Sequence, residues 1–297
     1  MAYAYCRFSR WDFGAFRLLG PGLGNLLFPW ARFVIASQRN GLRPLAPTWP
    51  QLKIGPILRR EPDLRMYSGL FQRRSGEIGG IRKLTVLATG SRLAEDRWEA
   101  RGRDAVAASA RTVVEFKGLR GYFHDIADQR ELLGRELRAT TRPQHLNGLT
   151  FDFARSICVH VRLRDFTIEG GSTPLSWFAD VVAGLQQSLG GGTAVRVFSD
   201  GNDEELRPLL ALPGTHRLTL GSSIADLLAL TVAPVIIGTA GSTFGAWPAF
   251  LGRVPSVWPP GGLTRQLWLP EDQHAIEVAT GDALPATFIN VVRGRVG

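Results

Sequence analysis

Apolar residues recur along this chain in two rhythms. Short apolar runs, such as Ser156 to Val161 and Ala194 to Phe198, fit strands buried on both faces. Between them lie stretches with helical spacing. Trp177, Phe178, Val181, Val182, Leu185 and Leu189 fall on one face of a helix opened by Thr173-Pro174 and closed by Gly190 to Gly192. Glu204 to Leu212 reads as the next helix, and Leu218 to Leu220 as a brief strand. Ser222-Ser223 caps a helix over Ile224 to Thr231, with Asp226 near its positive end. Val235 to Ile237 is a further strand, and a Gly/Ser/Thr-rich turn leads into Phe244 to Leu251. Strands alternating with helices predict a parallel sheet covered on both faces, whose ligands bind beyond the C-terminal strand ends.

The N-terminal half begins similarly. A Gly-rich turn from Gly20 to Asn25 precedes a helix from Leu26 to Arg39. Leu42 to Leu45, Thr85 to Ala88 and Thr112 to Phe116 read as strands, and Ile126 to Ala139 as helical. The polar stretch Thr140 to Gly148, with Pro143, Asn147 and Gly148, joins the two regions. The fold class this predicts is α/β, two doubly wound halves facing a cleft.

Composition narrows the class without naming a function. The 297 residues are 44% hydrophobic and 21% charged, ordinary for a chain that buries a sizeable core. No run approaches the roughly 18–20 apolar residues of a membrane span. Asp226 to Gly238 is too short and holds Pro234, and Met1 to Arg17 lacks a signal-peptide pattern. Cys6 and Cys158 have no metal-site spacing, which excludes a disulfide scaffold or zinc finger and fits a reducing, cytoplasmic setting. The net charge is +9, and only Lys53, Lys83 and Lys117 are lysines. Such a surface attracts phosphates, whether in nucleic acid, lipid headgroups or nucleotides. Nucleic-acid binding would need aromatics interleaved with the arginines. Here Trp30, Phe33, Trp177 and Phe178 sit in apolar runs, so no nucleic-acid partner is expected.

Four polar groups stand at predicted strand ends. In the extended segment His160 to Asp165, His160, Arg162 and Arg164 share a face and suit an anionic diphosphate; an Arg164–Asp165 surface pair is the alternative. Phe198-Ser199-Asp200 releases a carboxylate that could accept guanine N–H groups or a ribose hydroxyl, or simply make an Asx turn. Gly238 to Phe244 offers hydroxyls and backbone N–H groups at a helix N-terminus, an anion site without lysine, or a plain connection. Gly22 to Asn25 is a weaker phosphate-loop pattern and is not GxGxxG.

Taken in order, these segments resemble the bacterial alpha-1,2-fucosyltransferases of glycosyltransferase family 11. Gly22-Leu23-Gly24-Asn25-Leu26-Leu27-Phe28 is similar to their G-x-G-N-Q-x-F opening, and Gly121-Tyr122-Phe123-His124 to G-Y-F-Q. His160-Val161-Arg162-Leu163-Arg164-Asp165-Phe166 resembles H-x-R-R-G-D-Y of the wider fucosyltransferase superfamily, and Phe198-Ser199-Asp200 resembles F-S-D-D. Asp226-Leu227-Leu228, Ile236-Ile237-Gly238 and Ser242 to Trp247 resemble its D-L-x-L-M … I-I-A-N-S-T-F-S-W-W-G-A.

The resemblance implies a GT-B glycosyltransferase of two Rossmann-like halves. Residues 1–145 would form an acceptor-side domain, and residues 146–297 a GDP-sugar-binding domain. It implies metal-independent, inverting transfer of fucose from GDP-fucose to a glycan hydroxyl, as in polysaccharide biosynthesis. Arg162 is expected to stabilise the leaving diphosphate, with Ser242, Thr243 and Phe244 as further donors. His160 would contact the nucleotide, Asp200 the guanine or ribose, and Gly22, Gly24 and Asn25 would close the site from the other half. His124 and Asp125 are the candidates for general base. Lipid-linked glycans fall within the expected acceptors, and the basic surface suits peripheral contact with an anionic membrane at its inner face. A degenerate GT-B protein that binds nucleotide without turnover is the alternative, ahead of a basic nucleic-acid-binding protein.

Overall fold

The computed structural model describes residues 2–52, 66–102, 111–163, 173–263 and 274–296, which separate into two compact units, Met1–Pro143 and Gln144–Gly297. The first unit opens with β1 (Tyr3–Cys6), then a hairpin of β2 (Trp11–Asp12) and β3 (Arg17–Leu18). Next come α1 (Leu23–Arg39), β4 (Arg43–Leu45), β5 (Gln51–Leu52), α2 (Gly80–Thr89), β6 (Ser91–Ala94) and α3 (Glu95–Ala100). β7 (Thr112–Phe116), a 3-10 turn (His124–Gln129) and α4 (Arg130–Thr140) complete it. Its main sheet has the order β4-β1-β7-β6 and is parallel throughout. From β1 the chain steps to β4 on one side and returns through β6 to β7 on the other. The strand order therefore reverses at β1 and β7, where open parallel sheets place a crevice. A second, three-stranded sheet has the order β2-β3-β5.

The second unit contains β8 (Ser156–Val161), α5 (Leu175–Leu189), β9 (Ala194–Ser199), α6 (Asp203–Leu210), β10 (Thr215–Arg217) and α7 (Ser223–Leu230). β11 (Ile236–Gly238), α8 (Thr243–Gly252), β12 (Ser256–Trp258), β13 (Ala275–Glu277) and α9 (Ala286–Val296) follow. All neighbours in the sheet β10-β9-β8-β11-β12-β13 run parallel. Every residue of β8 is buried, as expected of a central strand covered on both faces. Phe178, Val182 and Leu185 of α5 pack with Ile157, Val159, Val197 and Ile237, and α9 adds Phe288 and Val292 to the same core. The order reverses between β8 and β11.

Several elements differ from the sequence expectation for identifiable reasons. Thr85 to Ala88 lies inside α2, because Lys83, Leu84 and Leu87 follow helical spacing and all three approach Gly14. The brief strand expected at Leu218 to Leu220 is instead Thr215–Arg217, a polar edge strand invisible to a hydrophobicity pattern. Helix α1 begins at Leu23, so Gly24 and Asn25 belong to its first turn rather than to the Gly-rich turn before it. Ser222 does cap α7, accepting from the Ala225 N–H. The two cysteines are free and fully buried, Cys6 on β1 and Cys158 on β8, and burial raises both thiol pKa values. Among the described residues no helix is long and apolar enough to cross a membrane.

Candidate functional site

The reversal between β8 and β11 brings together most of the groups expected to carry chemistry. His160 is in register with Phe198 on one side and Gly238 on the other. The strands release Arg162, Asp200 and Thr239 at neighbouring C-terminal ends, and two bonds tie these ends to one another. The buried Thr239 hydroxyl donates to the His160 carbonyl at 2.9 Å and accepts the Arg162 N–H at 2.9 Å. Asp200 accepts the Leu163 N–H on Oδ1 at 3.0 Å, and its Oδ2 stands 2.9 Å from Arg162 Nη1. Arg162 is thus fixed at its backbone by Thr239 and at its guanidinium by Asp200. Both side chains keep about a fifth of their surface in solvent. Arg164 and Asp165 lie outside the described residues.

The second wall is the start of α8. Ser242 occupies the N-cap position but makes no side-chain capping bond, and the first turn carries no acid. The first-turn amides of a helix lack intrahelical partners and carry partial positive charge, which suits an anion. Ahead of this turn the backbone is well tied. The Ala240 N–H donates to the Thr173 hydroxyl at 3.1 Å, and Gly241 takes a left-handed φ of 63°. Glycine is needed at two further places. A Cβ at Gly238 would stand 2.4 Å from the buried Trp258 ring, and one at Gly245 would stand 3.0 Å from His160 Nδ1.

His160 links the two walls. Its ring stacks on Phe244, centroids 5.0 Å apart, and is almost wholly buried. Among the described residues its Nδ1 has no hydrogen-bond partner. Burial, helped by the nearby Arg162 charge and opposed by Asp200, lowers its pKa to about 4. The imidazole is therefore neutral at pH 7, with its Nδ1 buried close to the start of α8. Between pH 6.5 and about 4 the unfolded chain binds the proton and the folded one does not, so stability falls as pH falls through that window. We expect His160→Asn to flatten this acid-side loss by up to roughly 3 kcal/mol, read from urea unfolding at pH 7, 5.5 and 4.5. Equal pH slopes for parent and variant would count against a buried neutral imidazole.

The remaining candidates belong to the first unit. Gly22 precedes α1 with an extended backbone, and Gly24 and Asn25 lie in the first turn, which has no acid. Phe28 of α1 packs on Tyr122 and Phe123 with centroids 5.4 and 4.9 Å away, so the Gly22–Asn25 and Gly121–His124 segments are neighbours. His124 and Asp125 open the 3-10 turn. Asp125 is 39% exposed, its carboxylate folded over Gly121 and 4.0 Å from Arg120 Nε.

The sequence shows Thr239 as one hydroxyl of the Gly238–Phe244 turn and Thr173 as a helix opening rather than as ties to backbone N–H groups, and it gives Arg32 no role. Buried Arg32 of α1 places Nε 2.9 and 3.1 Å from the two Glu95 oxygens, and it donates to the carbonyls of Lys117, Gly118 and Arg120. It holds the segment that leads into Gly121–His124. An arginine amid apolar Trp30, Ala31, Phe33 and Val34 was the available signal.

The two sheets and their connections define the GT-B class. Solved structures with this fold include NodZ alpha-1,6-fucosyltransferase with GDP (15% identity, TM-score 0.51, covering 86% of this chain and 93% of that one). POFUT1 with GDP-fucose is similar at 11% identity and a TM-score of 0.51, with 86% and 97% covered. Arabidopsis thaliana FUT1 with GDP is similar at 14% identity and a TM-score of 0.50, with 86% and 70% covered. No family model matches the sequence, and no curated protein matches it.

Proposed function

We propose that this protein is a glycosyltransferase that moves fucose from GDP-fucose to a glycan hydroxyl with inversion at the anomeric carbon, in the manner of an alpha-1,2-fucosyltransferase. The carrying observation is Arg162, its guanidinium held by Asp200 and its backbone N–H by Thr239, beside the N-terminus of α8 and the neutral His160. In this reading the acceptor oxygen attacks the anomeric carbon as the bond to the β-phosphate oxygen breaks. Negative charge then grows on the departing GDP, and fixed donors aimed there lower the barrier. Arg162 and the first turn of α8, with Ser242, Thr243 and Phe244, supply those donors, and His160 contacts the nucleotide. Asp200 serves by positioning Arg162 and contacts the guanine or ribose. Gly22, Gly24 and Asn25 belong to the acceptor-side unit, where His124 and Asp125 are the candidates to take the acceptor proton. Every phosphate contact in this scheme is organic, so transfer is metal-independent. Acceptors on lipid carriers would bring the protein to the inner face of an anionic membrane.

GDP release from GDP-fucose across a panel of glycan acceptors, with and without EDTA, tests this directly. GDP should raise the melting temperature where ADP and UDP do not, and EDTA should leave turnover unchanged. Chelation that abolishes turnover, restored by Mn²⁺, would remove the metal-free scheme. Asp200→Asn keeps an acceptor for Leu163 but loses the charge opposite Arg162. We expect GDP binding to weaken by about tenfold in isothermal titration, the scale of one lost charge-assisted bond. Unchanged affinity would make Asp200 purely structural.

A further inference from the structure

The small sheet of the first unit has two unlike faces. Its register pairs Trp11 with Leu18 and Leu18 with Leu52, and directly opposed side chains share a face. These three are 52%, 37% and 51% exposed. The hairpin turn adds Phe13 and Phe16, whose rings are 5.3 Å apart, and Leu19 follows β3. Six of the nine large exposed hydrophobics among the described residues therefore gather on this one sheet and its flanks. Scattered exposed apolar residues are ordinary, whereas a gathered set marks a contact surface.

The opposite face, Asp12, Arg17 and Gln51, is turned inward and holds the sheet in place. Arg17, fully buried, donates to the carbonyls of Thr48 and Leu19 and lies over the Phe8 and Tyr67 rings. Asp12 accepts from the Tyr5 hydroxyl, and Lys83 donates to the Gly14 carbonyl in the turn and to Thr48. With its polar side committed beneath, the sheet cannot roll over to bury its apolar side.

Charge indicates what covers that side. Of the three arginines in residues 7–22, Arg17 is buried and Arg7 pairs with Glu115, which leaves Arg10 as the exposed cation, and the one acid, Asp12, bonds inward. Exposed Arg10 lies 5.9 Å from the Trp11 ring. A glycan would find no hydrogen-bonding groups on Leu18, Leu19 and Leu52. Aromatic and leucine side chains edged by an exposed arginine, with no outward acid in residues 7–22, instead fit the interface of an anionic bilayer.

We propose that this face seats the protein on anionic lipid, with Trp11, Phe13, Phe16, Leu18 and Leu19 entering the headgroup boundary and Arg10 meeting lipid phosphates. It rests on the membrane partner proposed above and is independent of the transfer chemistry, because binding is read without substrate. The test is flotation of the full chain with phosphatidylcholine vesicles, with and without phosphatidylglycerol. The parent should float only with the anionic vesicles. The double variant Phe13→Ser/Phe16→Ser should lose at least about tenfold in partitioning, and Arg10→Glu about fivefold or more, with circular dichroism unchanged. Should the parent fail to float, the membrane partner and this face fall together, leaving turnover unaffected. Floating of both variants like the parent would keep the membrane and overturn the face. A dimer detected by light scattering and lost in the double variant would reassign the face to self-association.

Discussion

Arg162→Ala should fold like the parent and turn over about a hundred to a thousand times more slowly, the usual cost of removing one donor aimed at developing charge. The fold should survive because the bonds that close the β8 end, Thr239 to the Arg162 N–H and Asp200 to the Leu163 N–H, do not need the guanidinium. Arg162→Lys should also be slow. An ammonium cannot lie against Asp200 and present a second donor outward as a planar fork does. The assay is GDP release at saturating donor, with the melting temperature as control. An alanine variant of near-parental rate would take Arg162 out of the mechanism.

The second large effect is expected on stability. Arg32→Met removes both bonds to the buried Glu95 carboxylate and all three to the carbonyls of residues 117, 118 and 120. Breaking one side of a buried ion pair costs about 3–5 kcal/mol, because the partner is left charged and unpaired. That is roughly 10 °C in melting temperature for a unit of this size. Adding Glu95→Gln to Arg32→Met should recover part of the loss, since the stranded charge disappears. A single variant that melts within a degree or two of the parent would show that Glu95 is neutralised or solvated instead.

The parallel sheet of the second unit was legible in the sequence because its central strands are apolar throughout. Ser156–Val161 was read with its observed bounds for that reason, and Ala194–Ser199 nearly so. Where polar residues form strands, at Thr215–Arg217 and in the hairpin of Trp11–Asp12 and Arg17–Leu18, alternation is too short to register. The gathering of His160, Arg162, Asp200 and the Ser242–Phe244 turn follows from strand order, which places their strand ends side by side at the reversal. What no spacing rule could supply was Thr239, whose hydroxyl acts on two backbone groups 77 and 79 positions away. The buried charges Arg17, Arg32 and Lys83 were hidden similarly. Composition counts them toward a basic surface, yet each is spent on carbonyls and a few side chains inside the first unit.

The placement of the two cysteines has a practical consequence. Each unit holds one thiol on an inner strand of its own sheet, fully shielded and kept protonated by burial. Alkylation proceeds through the thiolate, so neither reacts until its strand is released. Modification at Cys6 clocks the opening of the first unit and modification at Cys158 that of the second, within one sample and without an added label site. Timed exposure to a thiol reagent followed by peptide mass analysis thus separates a chain that unravels all at once from one whose halves give way in turn.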